Sequence, residues 1–138
     1  MNPKLISGNR YSDQRGTLLY NNNFDASLIK RIYIIENEKL ELIRGWQGHQ
    51  IEQRWFSAVI GRFEIQLIKI DNWEKPSKDL EVFTYLIDSE ELNVLYVPNG
   101  YISSIQSLEL NSKLLVMADY LLGENKDEYR FDIEYFKI

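Results

Sequence analysis

The stretch QRWFSAVIGRFEIQLIKI, residues 53–70, decides the fold. It reads as two strands hinged near Gly61 and is the strongest hairpin candidate in the chain. Working outward, LIKRIYIIE (28–36) is rich in β-branched and aromatic residues and too short for a typical helix. The polar, proline-bearing DNWEKPSKD (71–79) reads as a loop. Further strand candidates follow at fairly regular spacing: EVFTYLI (81–87), LNVLYVP (92–98), ISSIQSLE (102–109) and KLLVMADYL (113–121). The last of these has helical propensity, but its neighbours are strands and it is read as one. Only GENKDEYRFDIEYFKI (123–138) has helical or mixed character. Many short strands separated by turn signals predict an all-β sandwich or barrel. No internal boundary is visible, so residues 1–138 are read as one domain, long enough to bury a core unaided.

Composition removes several functions. The chain has no cysteine, which excludes disulfides, zinc–thiolate sites and cysteine nucleophiles. A formal charge of −5 and a pI near 4.9 argue against a nucleic-acid surface, although Lys30-Arg31 could hold a small phosphorylated ligand. The opening MNPKLISGNRY lacks the apolar run of a signal peptide, and no segment approaches the roughly 20 apolar residues needed to span a bilayer. These features predict a soluble cytoplasmic protein. Ser103 and Ser104 have no histidine–carboxylate partner pattern, and Glu90-Glu91 and Asp127-Glu128 read as solvated loop charges.

The chemistry centres on RGWQGHQ (44–50), which holds the only histidine, His49. Two positions earlier stands Gln47, where a histidine would complete an H-x-H pair. On a regular strand Gln47, His49, Ile51, Gln53 and Trp55 would share one face. Histidine has an ordinary pKa near 6.5 and suits general-base work, while the planar fork of Arg44 suits phosphate or carboxylate.

These segments, in this order, resemble the nucleotide-sugar isomerases of the cupin superfamily, particularly the dTDP-sugar 3,4-ketoisomerases. That family carries D-x-R-G-x-L, then F-x-x-K-R-x-Y-x-I, then R-G-x-H-x-H, then a hairpin glycine. Here they read Asp13-Gln14-Arg15-Gly16-Thr17-Leu18, LIKRIYII (28–35), RGWQGH (44–49) and Gly61. YVPNGYISS (96–104) resembles the family's second cupin stretch, and MADYLLGENKDEYRFDIEYF (117–136) its closing segment. The dTDP-4-dehydrorhamnose 3,5-epimerases share the early D-x-R-G, the R-G-x-H and a P-x-G-F-x-H element.

The resemblance implies a cupin jelly-roll barrel (a double-stranded β-helix) and a homodimer. The ligand it implies is a nucleotide-linked sugar, with metal-free isomerisation or epimerisation of a dTDP-linked 4-keto-6-deoxyhexose in surface-polysaccharide biosynthesis. The four cupin metal-ligand positions read Gln47, His49, Gln53 or Arg54, and Ser103, so neither metal nor cofactor is expected. His49 would be the base and Tyr120 a proton donor or a stacking group. Arg15, Lys30, Arg44, Gln47 and Gln53 would hold the ligand, and Tyr33, Trp55 and Phe63 could stack on its base, where packing is their default role. Gln47 cannot accept a proton from carbon, which disfavours the epimerase route. A non-catalytic cupin that binds a sugar nucleotide or a partner enzyme stays open as the alternative.

Overall fold

The computed structural model describes residues 1–138 and contains strands without helices. In chain order the strands are β1 (Lys4–Ile6), β2 (Asn9–Asp13), β3 (Gly16–Tyr20), β4 (Arg31–Ile35), β5 (Ile43–His49) and β6 (Arg54–Ile60). They continue as β7 (Arg62–Lys69), β8 (Val82–Asp88), β9 (Val94–Val97), β10 (Tyr101–Ser107), β11 (Lys113–Ala118) and β12 (Glu128–Arg130). The 113–121 run is thus a strand. The closing segment holds no helix: it is mixed, with the short β12 inside it and turns on either side. No helix is long and apolar enough to cross a membrane.

Two five-stranded antiparallel sheets face each other, in the orders β1-β9-β6-β11-β4 and β12-β5-β10-β7-β8. The expected closed barrel does not form. Each sheet ends in free edge strands, and the topology is jelly-roll-like with an open side between β4 and β12. β2 and β3 pair only with each other.

The 53–70 stretch is two strands, as read, but not a hairpin. β6 pairs with β9 and β11, β7 with β8 and β10, and the turn carries the chain from one sheet to the other. Gly61 permits this with a φ of +79°, and a methyl group there would overlap the Ser112 hydroxyl. Side chains of alternate residues enter the space between the sheets, as period two requires: Phe56 and Ala58 from β6, Phe63, Ile65 and Leu67 from β7. Ile87, Leu95, Val97, Tyr101, Ile105, Leu114 and Val116 complete this layer.

The outer faces are covered separately. Trp46, Ile68, Ile70 and Ile102 lie behind the second sheet under Phe136, so the C-terminal segment is a lid of aromatic residues over that face. Trp55, Val94, Tyr96 and Met117 lie behind the first sheet under Ile6, Phe24 and Ile29.

Candidate functional site

Gln47 and His49 point inward from β5, while Trp46, the residue before Gln47 on the same strand, points outward into the aromatic layer. Gly48 lies so close to β10 that a Cβ would strike the Tyr101 carbonyl and Ile102, which pins the histidine strand against its neighbour. After His49 the chain leaves the second sheet, crosses in four residues and enters the first sheet at Arg54. The crossing resets the alternation. Odd positions face inward on β5 (47 and 49), and even positions do so on β6 (54, 56 and 58).

For this reason the expected single face from 47 to 55 does not exist. Gln53 bonds Asp119 and Tyr96 on the outer side, and Trp55 packs there against Tyr96. Arg54, the alternative at the third cupin position, takes the inward place, and Ser103 lines the pocket opposite.

The pocket between the sheets is lined by Tyr33, Arg44, Gln47, His49, Glu52, Arg54, Tyr101 and Ser103, with Phe56, Val97 and Ile105 as its apolar wall. At its centre is a buried network. His49 Nδ1 lies 3.4 Å from Asp127 Oδ1, and His49 Nε2 lies 2.9 Å from Arg54 Nη2. Arg54 Nη1 donates to Glu52 Oε1 at 2.9 Å. Asp127 Oδ2 accepts from the backbone N–H of Ile51 at 2.6 Å and of Glu52 at 3.1 Å. All four side chains are at least nine-tenths buried.

Burial, followed by the adjacent Arg54 charge, holds the His49 pKa below its ordinary value against the opposing pull of Asp127. Burial likewise raises the Glu52 carboxyl, with Asp127 adding to the rise and Arg54 opposing it. For Asp127 burial acts upward, but the two backbone N–H groups, Glu52 and His49 outweigh it and hold the carboxyl low.

His49, Glu52 and Asp127 bring donor atoms within 4.8 Å of one another, a spacing a divalent ion could use. The Arg54 guanidinium already donates to two of the three. The trio is therefore an ion-pair network around a fixed organic cation, and we do not assign it as a set of metal ligands.

The pocket opens along the gap between the edge strands. Arg31, Arg44, Arg54 and Arg130 line this mouth with Glu36, Glu128 and Leu122. In a chain of charge −5 this is a local concentration of positive charge. Arg31 stacks over the Tyr33 ring at 4.8 Å, and Gln47 donates to Glu128 at 2.5 Å.

Of the expected site residues, the fold brings together Tyr33, Arg44, Gln47 and His49. It leaves Gln53 and Trp55 behind the first sheet. Lys30 sits 5.8 Å from the Tyr120 ring, and neither residue lines the pocket. Arg15 lies at the tip of the β2–β3 hairpin, paired with Asp13 at 2.9 Å and exposed. Glu52, Arg54 and Tyr101 belong to the site without having been assigned a role from sequence. Asp127, read as a solvated loop charge, is 4% exposed and belongs to it too. Glu90 does stand in solvent, beside Arg10.

The architecture is an open jelly-roll sandwich with its histidine in the inter-sheet cleft, and solved structures share that fold. A mutant of the 3,4-ketoisomerase QdtA from Thermoanaerobacterium thermosaccharolyticum, in complex with TDP-4-keto-6-deoxyglucose, superimposes with a TM-score of 0.73 at 22% identity, over 94% of this chain and 88% of that one. A 3,4-ketoisomerase from Helicobacter canadensis gives 0.72 at 22% identity, over 98% and 95%. The dTDP-4-dehydrorhamnose 3,5-epimerase of Bacillus anthracis gives 0.77 at 11%, over 96% and 80%. At these identities the likeness establishes the fold. No curated protein matches the sequence. The family model described as FdtA (WxcM-like, C-terminal) matches residues 1–138, and the chain belongs to that family.

Proposed function

We propose that the protein is a metal-free keto-isomerase of a dTDP-linked 4-keto-6-deoxyhexose, serving surface-polysaccharide biosynthesis. The observation that carries this reading is the buried His49–Asp127 pair in a cleft whose mouth is rich in arginine. Arginine forks at the mouth suit a diphosphate, and the Tyr33 ring there offers a stacking face. The sugar then extends inward to the imidazole. The 4-keto group acidifies the C3 proton, His49 removes it, and return of the proton to C4 leaves the keto group at C3.

The reading meets the case for a binding protein without chemistry on one point. A structural histidine needs no neutral imidazole facing a cleft, whereas a base does. Incubation with dTDP-4-keto-6-deoxyglucose in heavy water is expected to move the keto group to C3 with deuterium at carbon, followed by NMR. Binding without exchange would favour the non-catalytic alternative, and deuterium at C5 would favour epimerase chemistry.

A homodimer in the cytoplasm belongs to the same proposal. A two-stranded hairpin is marginal alone, and Tyr11 and Leu18 on β2–β3 are exposed, as are Ile32 and Ile34 on the edge strand β4. A second copy laid against these surfaces would cover them and could bring its Arg15 to the mouth. Sedimentation is expected to give twice the 16.4 kDa chain mass, and a monomer at all concentrations would refute the dimer.

A further inference from the structure

Arg54 stands in an arrangement that a merely structural arginine does not require. A guanidinium only donates hydrogen bonds and does not lose its proton in proteins. At 2.9 Å from Arg54 Nη2, His49 Nε2 must therefore be the acceptor, and the ring proton sits on Nδ1, toward Asp127. The lone pair that would take a proton from carbon is thus capped. It is released only when Arg54 finds another acceptor within reach of the pocket. A keto sugar supplies one in its carbonyl oxygen.

We propose that Arg54 is a catalytic residue that binds the substrate's keto oxygen, transferring its Nη2–H hydrogen bond from His49 to that oxygen and so exposing the base only when substrate is present. This rests on the isomerase reading above. The C3–H proton passes to Nε2, the C3–H electron pair forms the C3=C4 bond, and the carbonyl pair moves onto O4. Arg54 holds that enediolate oxygen. The O3 proton passes to O4, C3=O forms, and Nε2–H returns its proton to C4. C3–H and O3–H have become C4–H and O4–H, with no other reactant consumed.

Charge favours the sequence. An imidazolium 2.9 Å from a guanidinium is repelled, but an enediolate between the two cations reverses the sign. The other groups facing His49 are Glu52 in the crossing segment, Asp127 before β12, Glu128 on β12, Arg44 on β5 and Tyr101 on β10.

The single histidine makes the test direct, because long-range 1H–15N NMR of the imidazole reads one residue. Wild type is expected as the neutral Nδ1–H tautomer, and adding dTDP-4-keto-6-deoxyglucose should shift Nε2 as the Arg54 bond is lost. In Arg54→Gln the His49 titration should move upward and kcat should fall about 10²–10³-fold, with KM changed far less. Removing Arg54 leaves Glu52 buried without its partner. The double variant Glu52→Gln/Arg54→Gln, which removes both charges, therefore repeats the measurement on a neutral pair. Wild type active and both variants within threefold of it would overturn the role of Arg54 alone, as would a His49 titration unchanged by the substitution. Wild type unable to exchange or convert the sugar would overturn the isomerase reading and this inference together.

Discussion

His49→Asn is expected to lower keto-isomerisation by about 10²–10⁴-fold, the usual contribution of a positioned general base. The fold should survive. Asparagine offers one donor toward Asp127 and one acceptor toward Arg54, so the polarity of the network is kept while the titrating group is lost. The two proteins should differ in how stability depends on pH. The folded His49 pKa is depressed, first by burial and then by Arg54, so the unfolded chain takes up a proton near pH 6.5 that the folded chain still refuses. The contribution is fully present above the unfolded value and is lost as pH falls from there toward the folded one. Thermal melts should therefore show wild type losing ground to the variant as pH drops below about 6.5. A variant as active as wild type would remove His49 from the mechanism.

Asp127→Ala is expected to be the most destabilising change in the site. Its carboxylate is the acceptor for two backbone N–H groups at the crossing between the sheets as well as for His49. The Glu52 N–H is buried and the Ile51 N–H part-buried, and an unsatisfied buried donor costs about 1–3 kcal/mol, so losing their shared acceptor costs roughly 2–4 kcal/mol. In a domain of this size that lowers the melting temperature by roughly 10 °C or more.

Asp127→Asn separates folding from chemistry. Its amide oxygen can still accept from the crossing segment, but its NH₂ would face His49 Nδ1. With Arg54 donating on the other side, the imidazole would meet donors at both nitrogens. Stability should be largely retained and turnover should fall by about 10²-fold or more. Calorimetry and exchange NMR on the two variants check this, and an active Asp127→Asn protein would show that the tautomer does not matter.

Most strands between residues 28 and 121 were legible because their evidence is local, whereas β1, β2, β3 and β12 are short and mostly exposed, with no buried face to set a pattern. Phe63, Ile65 and Leu67 alternate with polar residues, and turn residues flank the runs at 81–87 and 92–98. What strand pairs with what is not local. Gly61 looks the same in a hairpin as in a turn between sheets, and only the partners of β6 and β7 tell the two apart. The site divides in the same way. His49, Arg44 and Gln47 share one strand and were found together. Asp127 reaches His49 across 78 residues, and the acidic NKDE around it carries no mark of burial. Gln53 and Trp55 were misplaced because period two was carried through a segment where the chain changes sheets.

That change of sheets fixes more than parity. Five Cα steps join His49 to Arg54, and even fully stretched they reach no more than about 18 Å. The two walls are stapled at the level of the imidazole by four residues, whereas beside the β4 and β12 edges they are joined by the longer connections 36–42 and 119–127. The arrangement is that of a clothes-peg, with the short connection at the chemistry and the long ones at the arginine rim. The rim, where Arg31, Leu122 and Arg130 stand, is therefore expected to adapt to ligands of different girth while the geometry at the short connection stays constant. A change of preferred sugar nucleotide within this architecture would therefore be written at the rim, leaving residues 49–54 untouched.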